Sequence, residues 1–257
     1  MNARRKSDKN SGQVLIITSL VVVMLLMAAT LYFADIQRNA PKSDTQSNYV
    51  SSAYQVGATH TVISALSNFT NGGSNGVFLE DLNLFKSALE SQFHGAILNM
   101  QYSLTTVSPY QDGVLVSWGT DGKGISSAAA DFAMNWSGSL ATRSLEFQVN
   151  ITSELQIDAS YVLLNESTKQ AHVTFTVLNE GKPAQARTFA VYYRSNNPLT
   201  PGTWIEPPSA VYDFGNGTKQ VSFTAAGENP SDPLVISVGC QDSRGIFVRA
   251  NATCVPG

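Results

Sequence analysis

Charge, histidine and cysteine are what this 257-residue chain has least of: 14% of its residues are charged, with 3 histidines and 2 cysteines. His60, His94 and His172 fall in separate expected elements, with no HExxH, no CxxC and no Cys/His cluster, so no zinc site is expected. Asp112, Asp121 and Asp131 flank Gly-rich turns, but their spacing matches no calcium loop. No G-x-S-x-G elbow of a serine hydrolase is expected either. "GTDGKG" at 119–124 lacks the Lys-Ser/Thr ending of a phosphate loop, and "DFG" at 213–215 stands without the other kinase motifs; both read as turns. No catalytic, cofactor-binding or metal-ligating residue is therefore assigned, and no enzyme is expected.

Long apolar runs are equally scarce, with one exception. The stretch 14–33, opening at Val14 and closing at Phe33, contains no charged residue. It matches the roughly 20 residues a helix needs to cross a hydrocarbon core of roughly 30 Å. A secretory signal has a shorter apolar region and a small-residue cleavage site, which Ala28, Ala29 and Ala34 do not supply. A retained single-pass helix is expected. Arg4, Arg5, Lys6 and Lys9 precede it against Asp8 alone, which places the N-terminus in the cytoplasm and the rest outside. With those five residues set aside, 12 basic and 18 acidic residues remain, and a net charge of −6 disfavours nucleic acid and anionic lipid as partners.

Hydrophobic period divides the chain into four regions. Residues 1–12 are a basic tail or leader, 13–34 the membrane helix, 35–153 an extracytoplasmic α+β region and 154–257 an all-β sandwich. Pro41 breaks the first helix; a second starts from Tyr49 with Ala53, Val56, His60 and Ile63 as its expected stripe. After "NFTNGGSNG" comes an amphipathic helix with Phe78, Leu82, Phe85, Leu89 and Phe93 on one face. Strands are expected at "AILNMQYSLTTV", "GVLVSW" and "SLEFQVNIT", and an Ala-rich helix around Ser127 to Phe132. From 154 onward about seven alternating runs describe an antiparallel sandwich, with Val173, Phe175 and Val177 facing inward and His172 on the polar face. "PLVISVGC" and "GIFVRANATC" form a hairpin around "QDSRG". That separates Cys240 from Cys254 by far more than a disulfide spans, so two buried free thiols are expected.

Six sequons, at Asn68, Asn135, Asn150, Asn165, Asn216 and Asn251, lie on the outer side and permit N-glycosylation, though Asn150 and Asn251 fall in strand-like runs. Tyr192, Trp204 and Tyr212 are surface aromatics that could line a contact with protein or glycan, with packing at the sandwich core or edge the plainer reading for Trp204.

Two resemblances add to this. "VTFTVLNEGKPAQARTFAVYY", two strands about a turn, resembles extracellular immunoglobulin-like domains of the CARDB kind, which implies a spacer or adhesion module over about 154–257 and carries no catalytic residue. "RRKSDKNSGQVLIITSL" is similar to the start of archaeal and bacterial pilin-like proteins, TadE/TadG-like ones included. That resemblance implies cleavage after Gly12, a mature start at Gln13 and packing of the helix into an oligomeric fibre. The family commonly has Glu five residues into the mature helix where this chain has Ile17, which points to a minor subunit or an uncleaved anchor. Three classes result: an anchored structural or adhesion protein, a pilin-like subunit, and an anchored enzyme or solute receptor, for which no convergent polar set is found.

Overall fold

The computed structural model describes residues 44–74, 76–92, 97–137, 142–194, 202–226 and 232–257. Gly12, Gln13 and the apolar stretch 14–33 lie outside them; among the described residues no helix is long and apolar enough to cross a membrane. By its contacts the chain divides into Met1–Ser52 and Ala53–Gly257, and the second unit carries all the strands. Two helices, α1 (Asp44–Thr70) and α2 (Val77–Gln92), precede β1 (Ile97–Leu104), β2 (Val114–Trp118), β3 (Lys123–Ser137) and β4 (Thr142–Asn165). Then come β5 (Thr168–Asn179), β6 (Lys182–Ala184), β7 (Ala186–Arg194), β8 (Ala210–Asp213), β9 (Thr218–Ala226), β10 (Val235–Asp242), β11 (Phe247–Thr253) and β12 (Val255–Pro256). The architecture is mostly β-sheet.

A nine-stranded sheet runs β1-β3-β4-β5-β9-β8, with β2, β6 and β12 attached to it, and a second sheet runs β11-β10-β7. Strand β4 holds the large sheet together. Val149, Ile151, Ser153, Leu155 and Ala159 are buried on one face, while Glu146, Gln148, Asn150, Gln156 and Asp158 are turned to the other, as a period of two requires. The expected domain boundary between 153 and 154 falls inside this one strand. Its alternation keeps phase across the boundary, so the two expected strands "SLEFQVNIT" and "ELQIDASYVLL" are one strand shared by both regions.

Two cores lie on that shared face. The first packs α1 and α2 on β1, β3 and the early part of β4 through Ala58, Val62, Leu66, Phe78, Leu82, Ala128, Ala130 and Phe132. Here two expectations are corrected. The stretch 127–132 is strand, with an unbroken register to β4 from Lys123↔Gln156 to Ser137↔Thr142. Alanine's helix preference is worth less than about 1 kcal/mol per residue and yields to a central position in the sheet. Ser127, Ala128, Ala129 and Ala130 are all buried, so both faces are covered and no alternation is left to read. The α1 stripe is also rotated: Tyr54, Ala58, Val62 and Leu66 are buried, whereas Ala53, Val56 and His60 are exposed and Ile63 is half-buried. Small residues decide this face. A Cβ on Gly57 would come within 2.9 Å of the Phe85 ring, so the helices meet where α1 has no side chain. On α2, Phe78 and Leu82 are buried and Phe85 and Leu89 half-buried as expected; Phe93 lies outside the described residues.

The second core is the sandwich. Val173, Phe175, Val177, Val221 and Phe223 from the large sheet meet Val191, Ile236, Val238 and Val248 from the small one. Tyr193 stacks on Phe223 at 5.3 Å between centroids, and Phe175 meets Phe189 at 5.2 Å. His172 faces outward, half-buried, with Nδ1 3.0 Å from Ser222 Oγ. The expected hairpin is β10-β11, in which Cys240 pairs with Val248 while the Cys254 N–H donates to Leu234 O, six residues from Cys240. Both thiols are free and buried, and burial pushes each up to about 12.

The turn between β10 and β11 ties the two cores. Ile246 enters the helix-side core while Val248 enters the sandwich. Asp242, fully buried, accepts N–H bonds from Arg244 N and Ile246 N, and its other oxygen accepts from Arg244 Nε at 2.8 Å. Arg244 reaches on to Glu180 Oε1 and Thr152 O. The end of α1 is held to the same turn: Ser67 Oγ and Asn71 Nδ2 donate to Gly245 O, and Phe247 N donates to Thr70 Oγ1.

Candidate functional site

Among the described residues, the outer face of the small sheet is where unpaired charge and aromatic surface meet. Because β7, β10 and β11 send Val191, Ile236, Val238 and Val248 inward, the alternate phase presents Ala190, Tyr192, Ser237, Gly239, Phe247 and Arg249 outward. These residues and Trp204 line a hollow of about 290 Å³, near the lower end of the range for small-ligand pockets. Gly239 makes the floor: a Cβ there would sit 2.9 Å from the Phe247 ring, so Phe247 lies over a bare backbone. Trp118 braces Phe247 edge-on at 5.3 Å and anchors its own Nε1 on Ser126 Oγ at 3.2 Å.

Two guanidinium groups share one indole. Arg194 lies 5.1 Å and Arg249 5.9 Å from the Trp204 ring centre. Arg249 Nε donates to the buried Ser237 Oγ at 2.8 Å, which fixes its fork; no described residue accepts from its two terminal nitrogens. Neither arginine has an ion-pair partner among the described residues, and no acidic side chain lines the hollow. The indole's quadrupole offsets only part of the repulsion between two cations. Such a site is set to take a flat ligand carrying negative charge.

Of the aromatics singled out in the sequence, Tyr192 and Trp204 come together here, while Tyr212 sits on β8 against Phe214 at 4.8 Å. The other participants were missed. Phe247 and Arg249 stand in the polar phase of β11, and an aromatic in that phase was the readable signal. The pairing of Arg194 with Trp204 depends on the Ile205–Tyr193 bridge and had none.

The remaining candidates stay apart. His60 is exposed on α1, His172 lies on β5, and His94 is outside the described residues. Among the described residues no three His, Cys, Asp or Glu side chains gather as a metal site; Asp131 instead accepts from Gln148 Nε2 at 3.0 Å. The G-x-S-x-G spacing does occur, at Gly72, Ser74 and Gly76, and was overlooked in the sequence. It joins α1 to α2, whereas a nucleophile elbow follows a strand. Asp121 and Asp213 cap turns, accepting from Lys123 N and Gly215 N. Asn68, Asn135, Asn150, Asn165 and Asn216 are exposed. Asn165 and Asn216 each accept the backbone N–H two residues on, at 2.9 and 3.1 Å. Asn251 is half-buried in β11, its Oδ1 buried with no partner.

A two-sheet β-protein with a ligand-sized aromatic and cationic cleft on one outer face is the class these observations define. No family model, curated protein or solved structure matches the chain.

Proposed function

We propose that this is a non-enzymatic, single-pass, membrane-anchored surface protein whose sandwich works outside the cell as an adhesion or interaction module. The cleft of Tyr192, Trp204, Phe247 and Arg249 carries the reading, since it gathers aromatic rings and a cation on an outer face of the sandwich, with the Ser237 hydroxyl engaged by Arg249. The anchor is the stretch 14–33, with the N-terminus cytoplasmic; two packed sheets support an immunoglobulin-like, CARDB-like assignment for 154–257. The test is attachment of cells that display the full chain to matrix or to neighbouring cells. Trp204→Ala together with Tyr192→Ala is expected to abolish attachment at unchanged surface level; undiminished attachment would sink the reading.

A second reading, a pilin-like subunit processed after Gly12 and assembled through its apolar helix, is favoured by one feature. The helix α1, which follows the apolar run in the sequence, packs on an antiparallel sheet through Ala58, Val62 and Leu66. N-terminal sequencing of the protein from its native membrane separates the two: a start at Gln13 supports processing, a start at Met1 a retained anchor.

A further inference from the structure

We infer that the cleft on the small sheet is a receptor site for a carboxylate-bearing sugar, an inference that rests on the adhesion reading and names its ligand class. Three features carry it. Arg249 is held by Ser237, and its two terminal nitrogens have no partner among the described residues, the geometry that a carboxylate fills with two parallel hydrogen bonds. Trp204 and Tyr192 supply flat rings on which the C–H face of a pyranose stacks, and Phe247, seated on the bare backbone of Gly239, forms the floor. Arg194 adds a second positive charge at the rim.

The sheet edges argue against an extended peptide, the other ligand that brings carboxylate and apolar surface. Peptides commonly bind such sheets by adding a strand to a free edge. Here the β7 edge is occupied at its cleft end, where Ile205 exchanges two 2.9 Å hydrogen bonds with Tyr193. The β11 edge is occupied at Asn251 by the turn at 119–122, through Asn251 N to Gly119 O and Gly122 N to Asn251 O.

The experiment titrates the full chain in detergent micelles with a galacturonic acid trisaccharide, the matching neutral galactose trisaccharide and the tripeptide Gly-Gly-Phe. Tryptophan fluorescence and saturation transfer to sugar ring protons are the readouts. The acidic sugar is expected to bind about tenfold tighter than the neutral one, and Arg249→Gln to remove about that factor. Arg194→Gln, exposed and therefore safe for folding, is expected to lower affinity severalfold and to flatten its salt dependence. Equal binding of acidic and neutral sugars, preference for the tripeptide, or no binding of any of the three overturns the inference. Attachment that depends on Trp204 in a protein that ignores the acidic sugar overturns the ligand class and leaves the adhesion reading standing. Binding of the acidic sugar without any effect of Trp204→Ala on attachment does the reverse.

Discussion

One face of one sheet is covered by two different lids. Over its first half lie α1 and α2, and beneath them β3 contributes Ala128 and Ala130 beside Phe132, flanked by Met100, Val149 and Ile151. Over its second half lies the three-stranded sheet, and there the partners are branched and aromatic, with Val173, Phe175 and Val177 interdigitating with Val191, Ile236 and Val238. Under the long side chains of Leu66, Phe78 and Leu82 the strand β3 gives up volume at Ala128 and Ala130, while in the sandwich two sheets share the gap. The same strand β4 serves both, which makes the junction at Ser153, Asp242 and Arg244 the place where the halves succeed or fail together.

Breaking that junction is the largest effect expected. Arg244→Met leaves the carboxylate of Asp242 buried and unpaired, and the loss is about 3–5 kcal/mol. It should appear as one denaturant transition shifted equally in helix circular dichroism and in tryptophan fluorescence; two separated transitions would show that the halves unfold independently. Gly124→Ala strikes the crossing of β3 on β11, where a Cβ would lie 2.1 Å from Arg249 O. Backbone must move there, at about 1–3 kcal/mol, and sugar binding should weaken along with stability because Arg249 is displaced.

The comparison sharpens with overpacking. Ala130→Leu under the helices and Val173→Leu in the sandwich each overfill a closed core, at about 1–3 kcal/mol, the first toward the upper end because it adds three carbons and the second one; thermal unfolding measures both, and a larger loss at Val173 would show the sandwich to be the less yielding of the two cores. Thiols give the mildest test. Cys240 and Cys254 should resist alkylation at pH 8 in the native chain, while Ala65→Cys reports opening of the other half. Their folded pKa is raised from 9.0 to about 12, so the native state holds protons that the unfolded chain releases. That contribution is whole below pH 9.0 and drains away as pH rises toward about 12, which urea midpoints across alkaline pH would register.

Much of this was legible. The alternations of β5, β9, β10 and β11, the α2 stripe, the hairpin at 242–245 and the separation of the two cysteines come from local period and turn chemistry. The strand at 127–130 was hidden because both its faces are buried, and the α1 face because Ala, Ser and Thr surround that helix too evenly to set a phase. The continuity of β4 was present in the unbroken alternation from Leu145 to Tyr161, but it is easily read as two strands because Ser153 interrupts the apolar series.

The sequence by itself determined periods, turns, the apolar run at 14–33 and the poverty of catalytic groups, because these are properties of neighbours along the chain. The tertiary structure alone decided which lid covers which half of the sheet. It also decided that Arg194 and Arg249, 55 positions apart in the numbering, would meet on the indole of Trp204. Such meetings depend on strand order and on close backbone approaches, as at Gly124 and Gly239, where the absence of a side chain sets the distance.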